Sequence, residues 1–103
     1  MSDEIKDITT FDRLIHEPAR LAIMAVLSAC ENADFAYLLN ATGLSKGNLS
    51  AHLSKLEEGG YVAVTKGFKG KYPNTTCALT ATGRKAFSAY RKQYLALAQH
   101  LEK

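Results

Sequence analysis

The stretch TGLSKGNLSAHLSKLEEGGYV, residues 42–62, carries the signals that decide the fold of this chain. Gly43 is the glycine expected just beyond the end of one helix, and Ser45 has a side chain suited to cap the next. That second helix is predicted to run over Ser45–Glu58, where a pair of glycines stops it. Two helices joined by a turn of three or four residues that contains glycine form a helix-turn-helix arrangement.

The apolar side chains of the second helix form one narrow stripe of Leu49, Leu53 and Leu56. At ~100° per residue, this stripe must turn toward the domain interior. The opposite side carries short, polar or cationic side chains, which suit a close approach to a polar, negatively charged surface such as a DNA major groove. The candidate contact residues on that side are Ser45, Lys46, Gly47, Asn48, Ser50, Ala51, Ser54 and Lys55.

These side chains match the chemistry of a DNA duplex. Asn48, Ser50 and Ser54 can hydrogen-bond base edges or phosphates, while Lys46 and Lys55 can neutralise phosphates or reach guanine. The first backbone amides of the helix add an anion site. A merely solvated helix surface is the alternative interpretation, and the adjoining basic hairpin argues against it.

That hairpin is indicated by a change of apolar period from helical to alternating, which predicts two strands, YVAVTK and TTCALT. The segment between them, GFKGKYPN, is predicted to be a long hairpin tip, in which aromatic side chains interleave with Lys66, Lys69 and Lys71. Such a tip can be an ordinary soluble loop. As a wing over residues 66–75, it would lie along phosphates or in a minor groove. Its position beside the basic helix favours the wing.

Further helices are predicted on both sides of this unit. Apolar residues recur at helical spacing over residues 5–15, and another helix begins at Pro18. A short helix covers FAYLLNAT, with Asn32 or Asp34 as its cap, and the last begins at Thr80. The predicted fold class is mainly α with a small β-hairpin, a winged helix-turn-helix in the order α-α-α-α-β-wing-β-α.

The composition limits the functional classes. The chain has 103 residues, 47% of them hydrophobic and 22% charged, which suits one domain over residues 1–103. No run approaches the roughly 18 apolar residues of a membrane span, and the acidic start MSDEIKDITTF is unlike a signal peptide, so we expect a cytoplasmic protein without a membrane partner. Residues 1–43 contain three basic and seven acidic residues, whereas residues 44–103 contain ten and three. The basic half permits a polyanionic partner.

Metal and catalytic sites are not indicated. Cys30 and Cys77 form no CxxC motif and are expected to be small core residues in a reducing compartment, with a disulfide between them as the alternative. Zinc requires three or four ligands, and His16, His52 and His100 are not clustered with suitable partners. No nucleophile–base pair or phosphate-binding loop stands out. We therefore expect no enzyme, no metal and no cofactor.

Three segments together resemble the small winged-helix transcriptional regulators of the MarR/ArsR type. They are RLAIMAVL after a proline, GLSKGNLSAHLSKLEEGGYV, and KGFKGKYPNTTCALTATGRKAF. The likeness is greatest to a compact subgroup with the pattern GNLS-x-HL-x-x-LE-x-x-GYV, K-x-F-x-GK-x-P-x-T and LT-x-x-GR-x-AF, and it spans about residues 14–90. The resemblance implies a homodimer that binds operator DNA with its two recognition helices in successive major grooves.

Individual residues take expected roles from the same resemblance. Ser45–Glu58 would be the recognition helix, and Lys66–Thr75 would be the wing. Gly83, unfavourable in the first turn of a helix, matches the glycine of the LT-x-x-GR turn. His52 matches a histidine beside the apolar stripe, which is expected to pack or to contact a phosphate. Many relatives have arginine where this chain has Ala51, so specificity would depend more on neighbouring contacts and on DNA shape.

The resemblance also implies pairing of two copies through the first and last helices, about residues 5–15 and 84–101. Tyr90, Tyr94 and Leu97 supply more apolar surface than one small domain needs, with a core-only role as the alternative. The sequence therefore predicts a homodimeric repressor, because the chain has no spare domain for recruiting polymerase. The rivals are a protein-interaction module with an incidental basic surface, and a ligand- or redox-responsive switch using Cys30 or an interface pocket.

Overall fold

The computed structural model describes residues 4–102, so residues 1–3 and 103 of the predicted domain lie outside the described residues. A turn of 3₁₀ helix, Ile8–Thr10, follows the first helix. The helices are α1 Glu4–Asp7, α2 Pro18–Ser28, α3 Phe35–Thr42, α4 Lys46–Glu58 and α5 Ala81–Leu101, and the strands are β1 Ala33–Asp34, β2 Val62–Lys69 and β3 Tyr72–Leu79.

The helix starts follow the predicted capping chemistry. Pro18 occupies the first turn of α2. Asp34, one of the two predicted caps, accepts a hydrogen bond from the amide of Tyr37 at 2.8 Å at the start of α3. Ser45 accepts from the amide of Asn48 at 3.2 Å at the start of α4. The helix-turn-helix is therefore specified by local signals in the sequence.

The prediction of one helix over residues 5–15 is wrong. Only α1 and the 3₁₀ turn are helical there, because the side chain of Asp12 competes for the backbone. Its Oδ1 accepts from the amides of Leu14 at 2.9 Å and Ile15 at 3.3 Å. The resulting turn buries Ile15 and Phe11 in the core.

The wing is an ordered two-stranded ribbon rather than the predicted long loop. β2 and β3 pair in antiparallel register up to Lys69 and Tyr72, which leaves only Gly70 and Lys71 in the turn. Gly70 has φ +65°, and Lys71 has no positive φ, as a type II′ turn requires. β1 adds a third strand, in the order β1-β3-β2, which the sequence analysis did not predict. We call the β2–β3 hairpin the wing.

One hydrophobic cluster connects helices α2 to α5, the three strands and the turn that contains Phe11 and Ile15. The predicted stripe on α4 is buried in it, with Leu49 and Leu56 fully covered and Leu53 only 4% exposed. This confirms which side of α4 faces inward. The other buried members are Phe11, Ile15, Ile23, Met24, Leu27, Ala33, Leu38, Val62, Cys77, Leu79, Phe87 and Tyr90.

The packing of α5 on Tyr61 explains why glycine is needed at position 83. Thr80 caps α5 by accepting from the amide of Gly83 at 2.9 Å, and its own amide donates to the carbonyl of Tyr61 at 3.0 Å. A Cβ at position 83 would overlap the carbonyl oxygen of Tyr61 and lie 2.9 Å from the carbonyl carbon. Only glycine therefore lets the start of α5 pack on the segment that connects α4 to the wing.

The described chain is elongated. Its radius of gyration is 15.2 Å, whereas about 13 Å is typical of a compact domain of this length. The long dimension is 59 Å against 25 and 21 Å for the others. Among the described residues, the wing tip and the second half of α5 carry five of the eight exposed large apolar side chains, namely Phe68, Tyr72, Tyr94, Leu95 and Leu101.

Candidate nucleic-acid interface

The outer surface of α4 is exposed as the helical wheel predicts. None of its exposed side chains is a large hydrophobe, so the helix backbone is accessible to a close partner. The hydroxyl of Ser45 is engaged with the helix backbone at the cap, whereas the remaining side chains point outward from the core stripe. The exposed candidates on this surface are Ser45, Lys46, Gly47, Asn48, Ser50, Ala51, Ser54 and Lys55.

His52 is placed differently from the other candidates. Its ring is half-buried, and its Nδ1 lies 3.1 Å from Nη1 of Arg20 in α2. Because a guanidinium can only donate, Nδ1 accepts, and in the neutral ring the proton is carried on Nε2. Of its two expected roles, packing is therefore the one seen, and a phosphate contact stays a prediction.

Arg20 is a residue that the sequence analysis missed. Its Nε donates to the carbonyl of Leu14 at 2.6 Å, and Glu17 lies 3.8 Å from the ring of His52. Arg20 thus fixes the middle of α4 against α2 and the N-terminal turn. Glu17 accepts a hydrogen bond from the amide of Arg20 at 2.8 Å, and this spacing of three residues could have indicated a helix start from the sequence. The contact between Arg20 and His52, in contrast, could not have been found without the folded structure.

A cleft of about 410 Å³ separates α4 from the wing. Ser50 and Ser54 line one wall, Lys66 and Thr75 line the other, and Leu53 and Phe35 are among the remaining lining residues. The structure therefore brings Lys66 beside the exposed surface of α4. Lys69 and Lys71 lie farther out, at the exposed tip of the wing.

The charge of this surface is strongly one-sided. From residue 59 to residue 101 the sequence contains no aspartate or glutamate. Glu57 and Glu58 at the end of α4 are the nearest acidic residues in the sequence, and Glu57 borders the cleft. The exposed part of α4 and the wing together form a cationic surface, which suits a polyanion.

Cys30 and Cys77 are both free thiols. Cys77 is buried as predicted, and burial together with the charge of Glu57 raises its pKa to about 11. Cys30 is only partly buried, so its assignment to the core is wrong. Among residues 4–102, no group of three histidine, cysteine or acidic side chains is arranged to hold a metal ion. No helix in that range is long and apolar enough to cross a membrane.

The side of α5 that borders Leu21 of α2 is partly uncovered. Tyr90 is a core residue, and its hydroxyl lies 2.8 Å from Nδ1 of His16. Tyr94 is 48% exposed and Leu95 54%, and both line a groove with Leu21. The core-only alternative therefore holds for Tyr90 but not for Tyr94.

A helix-turn-helix followed at once by a basic two-stranded wing defines a class of DNA-binding domains. The chain belongs to the winged helix DNA-binding domain family, whose model matches residues 19–97. It is 36% identical over 91 residues to an uncharacterized protein of Methanocaldococcus jannaschii. The aligned region covers 87% of this chain and 98% of that protein.

Solved structures show the same fold. A transcriptional regulator homologue from Pyrococcus horikoshii OT3 superposes with a TM-score of 0.87 and 26% identity, over 99% of this chain and 100% of that one. A structure described as a MarR-family regulator from Enterococcus faecalis V583 has a TM-score of 0.79 and 18% identity, over 99% and 92%. The resemblance to winged-helix regulators of the MarR type is thus confirmed at the level of the fold.

Proposed function

We propose that this chain is a homodimeric, sequence-specific DNA-binding repressor. The observation that carries the proposal is the cleft in which Ser50 and Ser54 of α4 face Lys66 of the wing. One basic surface can thereby contact a major groove with α4 and the adjoining backbone or minor groove with the wing. A regulator of this kind has no enzymatic activity and acts in the cytoplasm.

Each part of the surface has a distinct role in the proposed complex. Gly47 and Ala51 present little bulk, which lets α4 enter the groove deeply. We assign the reading of base edges to Asn48 and Ser50, because both are exposed and lie outside the buried stripe on the first half of the helix. The phosphate contacts are assigned to Lys46, Lys55, Lys66, Lys69 and Lys71 and to the helix start at Ser45.

Pairing of two copies would use α5 together with α1. Ile5 of α1 and Ile8 of the 3₁₀ turn are 49% and 41% exposed, and both elements are in contact with α5. Burying these side chains and Leu95 against a second copy would remove apolar surface from water. The two recognition helices of such a dimer would meet half-sites separated by about one turn of DNA.

The DNA-binding role is tested by selection of duplexes from a random-sequence library with the wild-type protein. We expect an enriched motif with two related half-sites whose centres are about 10 base pairs apart. Ser50→Ala should weaken binding to that duplex by ~1–3 kcal/mol and blur the motif. Ser88→Ala, the same change at an exposed position on α5, is the matched control and should leave the affinity and the enriched motif unchanged.

Two outcomes would count against the proposal. Failure to enrich any motif would favour the protein-interaction module, for which the basic surface is incidental. Equal weakening of the selected duplex and of random DNA by Ser50→Ala would remove its base-reading role.

Dimerisation has its own test, sedimentation equilibrium. Leu95→Glu introduces a charge into the exposed apolar part of α5 and should shift the protein toward monomer. Lys92→Glu, at an exposed polar position of the same helix, should leave the dimer intact. A monomeric wild-type protein, or a Leu95→Glu variant that dimerises normally, would contradict pairing through α5.

A further inference from the structure

The tip of the wing carries two large exposed rings. Phe68 is 78% exposed, the highest value among the described large hydrophobic side chains, and Tyr72 is 75% exposed. The ring contacts between described aromatic side chains lie elsewhere, in the cluster of Phe11, His16, Phe87, Tyr90 and Tyr94. The two wing rings therefore contribute nothing to that packing and remain accessible to a partner.

The two rings lie on opposite faces of the ribbon. Phe68 is directly opposite Pro73 in the β2–β3 register, whereas Tyr72 is opposite Lys69. Because side chains alternate along a strand, Phe68 shares its face with Lys66 and Val64, two and four residues earlier. Phe68 and Pro73 thus form an apolar cross-strand pair on one face of the tip.

That face leads back to α4. Val64, Lys66 and Thr75 line the cleft whose other wall is formed by Ser50 and Ser54. By strand alternation, the Phe68–Pro73 pair continues this face toward the tip, beyond the cleft. The ring of Phe68 also borders a second cleft, which it shares with Asp34 and Tyr37 of the β1–α3 segment. Tyr72 lies on the other face, although its exposure is nearly the same.

The charge around the pair identifies its partner. The wing carries Lys66, Lys69 and Lys71, and no acidic residue occurs between residues 59 and 101. The acidic residue that shares a cleft with Phe68 is Asp34, and Lys69 lines the same cleft. A cationic tip with a protruding apolar ring suits a polyanion that also presents apolar surface, and base steps in a DNA minor groove combine these two properties. Phenylalanine and proline are both side-chain types that proteins insert between base steps.

We propose that Phe68, backed by Pro73, is a specificity-determining wedge that enters the minor groove and partly unstacks one base step beside the groove occupied by α4. The inference rests on the proposed DNA-binding function. It means that the chain selects an easily unstacked pyrimidine–purine step at a position that α4 does not touch. Such selection through DNA deformability would supplement the limited direct reading expected from Ala51.

The test uses the duplex enriched by the wild-type protein, with 2-aminopurine replacing one adenine at a time in the flanks. Wild-type binding should raise the fluorescence of the probe at one flanking step in each half-site, because unstacking relieves its quenching. Replacing that step by a stiffer purine–purine step should weaken wild-type binding by about 5- to 30-fold.

Three variants distinguish a wedge at Phe68 from non-specific binding of the wing tip to DNA. Phe68→Ala should abolish the fluorescence rise and reduce the step preference to less than about 2-fold, while still binding. Phe68→Leu, which keeps a wedge side chain, should retain most of both effects. Tyr72→Ala, on the opposite face, should behave as the wild type. Both substituted positions are exposed, so circular dichroism should show unchanged folding.

The outcomes distinguish this inference from the proposed function. If the wild-type protein enriches a motif but Phe68→Ala shows the same fluorescence rise and step preference, only the wedge is wrong. If Tyr72→Ala loses as much as Phe68→Ala, the face-specific wedge is wrong. If the wild-type protein prefers no duplex, both proposals fail. Loss of binding to anionic phosphatidylglycerol vesicles in Phe68→Ala, with DNA binding unchanged, would assign the tip to membranes and overturn the wedge.

Discussion

Replacing Gly83 by alanine tests how α5 is attached to the wing. In an exposed helix, glycine to alanine normally stabilises by ~0.5–1 kcal/mol. Here the added methyl group would overlap the backbone carbonyl of Tyr61, an obstacle that cannot rotate away as a side chain could. The substitution must therefore displace the start of α5 or the segment before β2.

The size of the effect follows from the contacts at risk. Overpacking typically costs 1–3 kcal/mol. Displacement also strains two hydrogen bonds of Thr80, to the carbonyls of Tyr61 at 3.0 Å and Gly60 at 2.6 Å, each worth ~1 kcal/mol. After the helix-propensity gain is subtracted, Gly83→Ala should lower the free energy of unfolding by about 2–4 kcal/mol. The melting temperature should fall by roughly 10–25 °C for a domain of this size.

The assay is thermal and urea unfolding followed by circular dichroism, at one fixed protein concentration because a dimer links stability to concentration. Gly47→Ala is the matched control, since a Cβ at that position would meet nothing within 4 Å. It should be neutral or stabilise by up to ~1 kcal/mol. A Gly83→Ala variant that melts at or above the wild-type temperature would refute the packing of α5 on Tyr61.

Three other predictions concern the wing, the thiols and the core. Replacing Lys69 and Lys71 by alanine should weaken all duplexes alike and reduce the slope of log K against log salt by about 3–4 for a dimer, because four phosphate contacts are lost; an unchanged slope would remove the wing tip from the interface. At pH 8 a thiol reagent should modify Cys30 rapidly and Cys77 only on unfolding. Cys77 is buried, and its pKa of about 11 leaves about one molecule in a thousand as thiolate. Rapid modification of two thiols per chain would contradict this prediction. Leu53→Ala should lower the free energy of unfolding by ~2–5 kcal/mol through a core cavity, and an unshifted urea transition would contradict the inward placement of the stripe.

The helix-turn-helix was predictable because its determinants are local. Ser45 caps α4 three residues before the amide it accepts from, and the apolar stripe repeats within a single helix. Gly43 ends α3 with φ +72°, as the sequence alone suggests for a glycine in that position. The outer surface of α4 follows from the same periodicity, so most candidate contact residues could be named without a structure.

The remaining features depend on partners distant in sequence. The turn at Asp12 replaces the expected first helix, and Tyr61 stabilises that turn by donating a hydrogen bond to the Asp12 carboxylate. The same hydrogen bond, together with burial, raises the pKa of Tyr61 to about 12. The contact between Arg20 and His52 joins residues 32 apart. No periodic pattern within either segment shows such pairings.

The extended strands of the wing are hard to predict from the sequence for a different reason. Glycines and Pro73 in GFKGKYPN normally argue against a strand. β1 pairs only with Thr76 and Cys77 of β3, so Pro73 lies where β3 has no neighbour on that side and its missing amide hydrogen is tolerated. The register, and with it the placement of Phe68 on the α4 side of the ribbon, required the structure.

Duplex binding measured by fluorescence anisotropy across a salt series tests the central claim most directly. The DNA should be the duplex enriched by the wild-type protein, compared with a shuffled duplex of the same composition. The account predicts tighter binding to the enriched duplex at every salt concentration, and a steep salt slope for both that reflects the lysines of α4 and the wing. Absence of binding to either duplex at low salt would contradict it.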